Sequence, residues 1–496
     1  MLPDDFENVA QSVIATNFCG NNILQAITTR NYWDVVNEYK PLMHTWYVGV
    51  LMQFYIVVPL LLFIIGKRIK DRNKRKKANI TLFAFIGIAS IILYLIETKS
   101  AYKFYYLPYR LYEFCAGGLM SYLFGKRTRL LNNVLFNTAF VLTYTGIISL
   151  LFVDTEYVSH SMRLFSTVVL SSCLVAIMPR AELAKGKMFS NKCIAGIGIA
   201  SYSIFVWHQV VLALMRYSFT NKLTEAIPFI SLIGITTALS ILSYKYIERA
   251  KQTKIVWGLI TLALLLTTAT SLYIYKNAGV VRDVPELEVV KGHAHRGMWA
   301  EYCDRAFQYD KEFSDDNRTK CYVIGNSFGR DMVNIILESN LASEFDVIYS
   351  DINGYKNKKE RFEKADVVLF SALPLSSKTI DDVKSRCPKD CDFFIIGEKN
   401  FGENNGQIYR HRYETNFHEI TVEMEEGYVE KNDQLKKMYP NNYIDMIDLV
   451  LRQNGTVQVF TDDGRFISQD CRHLTRAGAQ YYAKLMNWKI IFKNHN

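Results

Sequence analysis

Eight apolar stretches of membrane-spanning length crowd the first 275 residues, and they constrain this chain more than any other feature. They lie near residues 46 to 66, 78 to 96, 106 to 124, 132 to 153, 163 to 178, 194 to 215, 227 to 244 and 255 to 275. A bilayer core about 30 Å thick takes roughly 20 residues of helix. A backbone crossing it must satisfy its own polar groups, which a helix does. Residues 1–275 are therefore expected to form a multi-span α-helical membrane domain of about eight spans. Nothing after residue 276 reaches spanning length. There, short apolar runs (Phe345 to Tyr349, Asp366 to Phe370, Phe393 to Gly397) alternate with charged segments of helical spacing. That alternation predicts a soluble α/β domain with a parallel sheet over 320–496, joined through a linker at 276–319.

Charge sets an orientation. Lys67, Arg68, Lys70, Arg72, Lys74, Arg75, Lys76 and Lys77 separate the first two stretches. Every second loop after them is basic too: Lys126, Arg127 and Arg129; Arg180, Lys185, Lys187 and Lys192; Lys245, Arg249, Lys251 and Lys254. The intervening loops are poor in Lys and Arg, and one reads Asp154-Thr155-Glu156. Basic loops stay in the cytoplasm, so residues 1–45 and everything after about 276 are expected outside it. The net charge of +10 then reflects topology and not nucleic-acid binding. No zinc-ligand spacing occurs, and His293 and His295 read as solvated loop residues. Nine cysteines permit Cys303 with Cys321, or Cys387 with Cys391, to pair on an oxidising side, but connectivity is not fixed by spacing.

Chemistry concentrates in two places in the soluble part. Cys321 to Ile324 reads as a buried strand and Phe328 to Leu337 has helical spacing, which puts Ser327 of Gly325-Asn326-Ser327-Phe328-Gly329 where strand turns into helix. A serine there is held out of the sheet, beside backbone N–H groups that can stabilise an oxyanion. About 150 residues on, Asp470 and His473 stand three apart, close enough for the carboxylate to orient the imidazole as a base. Either half alone also reads as a turn serine or a capping aspartate; together they favour acyl transfer. Gly325 to Gly329 also fits the nucleophile elbow of α/β-hydrolases, but the serine closes the first soluble strand and the Asp and His share one loop, which argues against that fold.

This arrangement resembles the SGNH hydrolase-like family. Gly325-Asn326-Ser327 matches its opening Gly-Asp-Ser block, with Asn326 in place of Asp, and Asp470 to His473 matches its closing D-x-x-H block. The resemblance implies an oxyanion hole completed by a Gly and an Asn, for which Gly354 and either Asn400 or Asn404 are the candidates. The membrane half resembles the membrane acyltransferase family 3. Pro41-Leu42-Met43-His44-Thr45-Trp46 with Gln53-Phe54-Tyr55, Arg110-Leu111-Tyr112-Glu113-Phe114, Ser201-Tyr202-Ser203 running to Trp207-His208, and Tyr244 to Arg249 follow its motifs in order. Leu51-Met52 replaces an acidic pair of that pattern.

Together the two resemblances imply an O-acyltransferase of the bacterial inner membrane. Its donor would be acetyl-CoA or another acyl-CoA, with no bound cofactor or metal, and its acceptor a hydroxyl of a surface polysaccharide or lipid-linked glycan such as lipopolysaccharide O-antigen or peptidoglycan. Ser327 would carry the acyl group, His473 act as base then acid, and Asp470 orient it. Ionisable groups within spans are costly unless paired or lining a cavity, so His44, Arg110, Glu113 and His208 are candidates for an intramembrane transfer site; a packing ion pair and an interfacial anchor are the plainer readings. An extracytoplasmic esterase, and a transporter or scaffold for glycan assembly, are the alternatives. The family's R-x10-H helix has no counterpart, and Asp4, Asp5 and Glu7 crowd an opening without a signal sequence. The expectation is that about three helices are missing before Met1.

Overall fold

The computed structural model describes residues 1–28, 37–124, 133–152, 158–179, 191–219, 225–295 and 298–491. The loop residues Lys126, Arg127, Arg129, Arg180, Lys185 and Lys187, and the acidic loop 154–156, lie outside the described residues.

Helices alone fill the first half: α1 (Pro3–Asn17), α2 (Asn21–Thr28), α3 (Trp46–Arg68), α4 (Arg72–Ile96), α5 (Ser100–Tyr105), α6 (Leu111–Phe124), α7 (Asn133–Leu150), α8 (His160–Ile177), α9 (Lys192–Ile199), α10 (Ser201–Phe219), α11 (Ala226–Ser243) and α12 (Lys254–Lys276). Among the described residues, four helices are long and apolar enough to cross a membrane: Met43–Arg68, Arg72–Ile96, Ala226–Glu248 and Lys254–Lys276. A fifth arises if α9 and α10, bent by 67° at their junction, count as one span. The expected eight stretches thus give four or five such helices. The stretch at 106 to 124 is shortened because Pro108 sits in a 3-10 turn, Leu107–Tyr109, ahead of α6. Gly196 and Gly198 weaken the helix ahead of the bend. Val134–Leu150 and Ser161–Ile177 are apolar but shorter helices.

After α13 (Met298–Asp304) the chain changes character. A five-stranded parallel sheet runs β2-β1-β3-β4-β6 from β1 (Thr319–Gly325), β2 (Phe345–Asp351), β3 (Val367–Ser371), β4 (Asp392–Ile396) and β6 (Tyr443–Ile444). β5 (Thr421–Glu423) pairs antiparallel with β7 (Thr456–Gln458). The helices are α14 (Ser327–Leu337), α15 (Lys359–Lys364), α16 (Ser377–Arg386), α17 (Asn405–Ile408), α18 (Tyr428–Met438) and α19 (Arg476–Leu485). Alternation along each strand feeds two cores: Cys321, Val323, Val347, Tyr349, Val367 and Leu369 face one, Tyr322, Ile324, Ile348, Val368 and Phe370 the other. A sheet covered on both faces explains why these strands are apolar throughout. The order reverses beside β1, and ligands of open α/β sheets bind at the strand ends of such a reversal.

The two halves are docked and not merely tethered. Leu2 is buried with Val280, Val284, Tyr409, Phe417 and Phe460 in one apolar cluster. Tyr39 hydrogen-bonds Gln407 and Glu403, and Asn404 reaches the Tyr217 hydroxyl at 3.5 Å. α1 lies against α12, with Asn17 donating to Thr267 and Thr268 at 3.1 and 3.0 Å. At its other end the Pro3 carbonyl comes so close to Gly279, at φ +72°, that a Cβ there would stand 1.8 Å from the oxygen. All nine cysteines are free, so neither pairing left open by spacing is present.

Candidate active site

Backbone crowding fixes the place of Ser327. β1 ends at Gly325, where a Cβ would sit 1.7 Å from the Ser371 carbonyl oxygen, so only glycine lets the strand run this close to the end of β3 before turning. Asn326 then caps α14: its Oδ1 accepts from Phe328 N at 3.1 Å and Leu373 N at 3.3 Å, while its Nδ2 donates to Leu373 O at 2.6 Å. An aspartate could accept those bonds but not donate the last, which gives a physical reason for Asn at this position. Ser327 is the first residue of α14, 4% exposed, and its Oγ is buried with no hydrogen-bond partner.

The second half of the constellation is the loop before α19. His473 Nδ1 stands 2.5 Å from Asp470 Oδ2, and Oδ1 of the same carboxylate accepts from the backbone N–H groups of Arg472 and His473 at 3.0 and 2.7 Å. Burial alone would push the Asp470 carboxyl up; the imidazole and these N–H donors outweigh it and hold the carboxyl at about 2. It is therefore ionised at neutral pH and able to orient a ring and stabilise its cation. The loop meets the serine helix directly: the His473 ring lies edge-on to Phe328 with centroids 6.1 Å apart, and Leu474 N donates to Asp331 Oδ2 at 3.3 Å.

Asp331 and Lys399 were given no role by the sequence. Asp331 lies one helical turn beyond Ser327 and pairs with Lys399 Nζ at 2.7 Å, with side chains 1% and 3% exposed. The same ammonium sits 3.6 Å from the centre of the Phe328 ring. The one available signal was an Asp placed four residues after Ser327 among the apolar residues Phe328, Met332, Val333 and Ile335 of α14.

Each oxyanion-hole candidate makes hydrogen bonds of its own. The Gly354 N–H donates to Asp351 O at 2.8 Å in a local turn. Asn400, fully buried, accepts from Gly402 N and Glu425 N and donates to Glu425, tying two loops together. Asn404 caps α17 through Gly406 N and faces Tyr217 of α10.

In the membrane half the four ionisable candidates fall into two pairs. His44, at the start of the first long helix, contacts His208 with ring centroids 5.2 Å apart, and its Nε2 lies 3.0 Å from Val206 O. Arg110 binds Glu113 at 2.9 Å and Phe104 O at 3.0 Å. Trp46 joins the pairs, two residues after His44 and 5.1 Å from the Arg110 guanidinium. Ser203 and Glu248, from two of the membrane-half motifs, also hydrogen-bond each other.

Residues 8–245 match the family model described as an acyltransferase domain. The peptidoglycan O-acetyltransferase OatA of Listeria monocytogenes is 24% identical over 254 residues, covering 50% of this chain and 41% of that protein. The O-acetyltransferase OatA of Staphylococcus aureus is 21% identical over 235 residues, covering 44% of this chain and 38% of that protein. The chain thus spans about two-fifths of the length of the curated relatives it matches. No solved structure matches it significantly.

Proposed function

Residues 8–245 belong to the acyltransferase domain family, and from that premise we propose that this chain transfers an acyl group, acetyl first, from acyl-CoA across the bacterial plasma membrane to a hydroxyl of a surface glycan. The observation that carries the reading is a Ser327, His473 and Asp470 constellation docked against an acyltransferase domain. Relatives named for O-acetyl transfer, one of them to peptidoglycan, support acetyl as the group and a cell-surface glycan as the acceptor.

In this reading all eight apolar stretches cross the bilayer, the shorter helices and the bent pair among them. His44, His208, Arg110 and Glu113 are the polar contacts along the acyl group's passage. Ser327 Oγ attacks the acyl carbonyl, His473 takes its proton and hands it to the carrier, which leaves with the bonding pair of the broken acyl bond. A glycan hydroxyl then gives its proton to His473 and attacks the acyl-serine, and the proton returns to Ser327. Asp470 keeps the imidazole oriented throughout.

Membranes holding the chain, given radiolabelled acetyl-CoA and cell-wall glycan, are expected to place alkali-labile label on the glycan. Label released only as acetate would mark a hydrolase, and no release at all would end the acyltransferase reading. Orientation is checked separately. In a cysteine-depleted background, a membrane-impermeant thiol reagent added to intact cells should modify Asn340→Cys but not Asn73→Cys; both positions are exposed. The opposite pattern would place the α/β domain in the cytoplasm.

A further inference from the structure

A cavity of about 380 Å³ opens beside His473 and Asp470, and part of its wall is Asp4 of α1, a residue of the membrane half. We propose that this cavity is the acceptor subsite and that it takes an uncharged, hydroxyl-bearing sugar residue, whose hydroxyls Asp4 and Glu286 bind. The inference rests on the reading of Ser327 and His473 as the acyl-transfer site.

Charge bookkeeping along the wall points to that ligand class. Each of the three arginines lining the cavity already has a carboxylate: Arg330 pairs with Asp304, Arg465 with Glu288, and Arg476 with Glu338 at 3.5 Å. Arg330 and Arg465 are thus committed to close pairs, while Arg476, exposed to solvent, shares Glu338 with Arg305 at 2.8 Å. The carboxyls in surplus are Asp4 and Glu286. Glu286 lies 3.9 Å from His418, and its Oε2 is buried without a hydrogen bond. Gln469, 9% exposed, leaves both its buried Nε2 and its buried Oε1 without a hydrogen-bond partner. Two unmet acceptors, Glu286 Oε2 and Gln469 Oε1, beside one unmet donor, Gln469 Nε2, suit a ligand whose hydroxyls both donate and accept, and a buried polar atom left unmet is costly. An anion in the same place would meet Asp470 and Glu286 with only the solvent-exposed Arg476 to offset them.

Asp4 adds a hydrogen-bonding group of unusual kind. Burial first, then Asp470, Asp5 and Glu7, push its carboxyl well above the usual carboxylate range, with Gln469 opposing. The shift favours the protonated form, and a protonated carboxyl can donate as well as accept, as a sugar hydroxyl requires. The volume is at the small end for ligand pockets and of the scale of one or two sugar rings. Because α1 supplies one wall, the subsite exists only with the two halves docked, which ties acceptor binding to the membrane domain.

The test uses the purified full chain in lipid nanodiscs, with p-nitrophenyl acetate as acyl donor. Neutral N-acetylglucosamine oligomers and anionic galacturonate oligomers of equal length are the competing acceptors. The ratio of acetyl transferred to acetate released is read, since it cancels any unfolded fraction. The neutral oligomer should be acetylated at least about tenfold more than the anionic one, a difference of about 1.4 kcal/mol. Asp4→Leu and Glu286→Leu should each lower the transfer-to-hydrolysis ratio for the neutral oligomer. Glu286→Lys should raise the anionic-to-neutral ratio. Preference for the uronate, no transfer to either acceptor while hydrolysis persists, or ratios unmoved by all three changes would overturn the assignment. Undiminished nitrophenol release by Ser327→Ala would instead overturn the underlying site.

Discussion

Ser327→Ala is expected to lose acyl-ester hydrolysis and glycan acylation by on the order of a thousandfold or more, while the protein becomes no less stable. Both parts follow from one atom. Ser327 Oγ is buried with no hydrogen-bond partner, and an unmet buried hydroxyl carries a penalty of about 1–3 kcal/mol. Taking it away removes that penalty and leaves no orphan behind. A hydroxyl kept at a cost to stability is what a nucleophile poised for a substrate looks like, because activity and stability trade against each other at such positions. A serine that merely shaped the turn would be bonded to the turn, and its loss would lower the melting temperature without touching chemistry. His473→Ala should be as damaging to activity. The double change should be little worse than either single one, since groups that act as a unit fail as a unit. Measuring nitrophenyl acetate hydrolysis beside thermal unfolding separates the outcomes: an active Ser327→Ala protein, or an inactive one with a markedly lower melting temperature, would reduce Ser327 to a structural residue.

How much of this could be read from the chain depends on which interactions are local. The strand, the Gly325-Asn326-Ser327 turn and the helix after it are set by neighbours in sequence, and β1 and α14 stand where the pattern put them. The parallel sheet was legible because continuous apolar runs between helical segments imply a sheet covered on both faces. The eight stretches give four or five helices of spanning length among the described residues because apolar composition records which segments avoid water, not whether the helix is continuous. Pro108 and the 67° bend between α9 and α10 interrupt stretches that hydropathy alone joins. The oxyanion candidates show a different gap. Asn400 is buried and Asn404 half-buried, and their amide oxygens accept from the backbone N–H groups of Glu425 and Gly406, contacts made by residues that spacing does not single out. Nor could composition reveal that Asp4, one of three acids crowding the opening, reaches a cavity beside residue 473. That placement depends on the docking of two halves, and it leaves no periodicity behind.

The buried pair of Asp331 and Lys399 should be the most costly of the newly found features to break. With side chains 1% and 3% exposed and 2.7 Å between the charged atoms, removing either partner strands the other charge in the core, at a cost of about 3–5 kcal/mol. Asp331→Asn and Lys399→Met should each lower the melting temperature sharply, and the double change should recover much of the loss, because no lone charge remains. Catalysis should report the pair in its own way, since Asp331 holds the loop of His473 through Leu474 N and Lys399 lies against Phe328. The ionisable groups around that loop are Asp470, Asp4, the Arg330 and Asp304 pair, and the Arg472 and Glu425 pair. Against this fixed background, a lone Lys399 disfavours protonation of the base and should carry the acid limb of the pH–rate profile to lower pH. A lone Asp331 should carry it higher, and the double variant should return it toward the parent. Opposite displacements from two equally destabilising changes cannot come from partial unfolding, which would lower the rate without moving the limb. If both variants kept the parental profile, the pair would be a structural clamp with no electrical hold on the base.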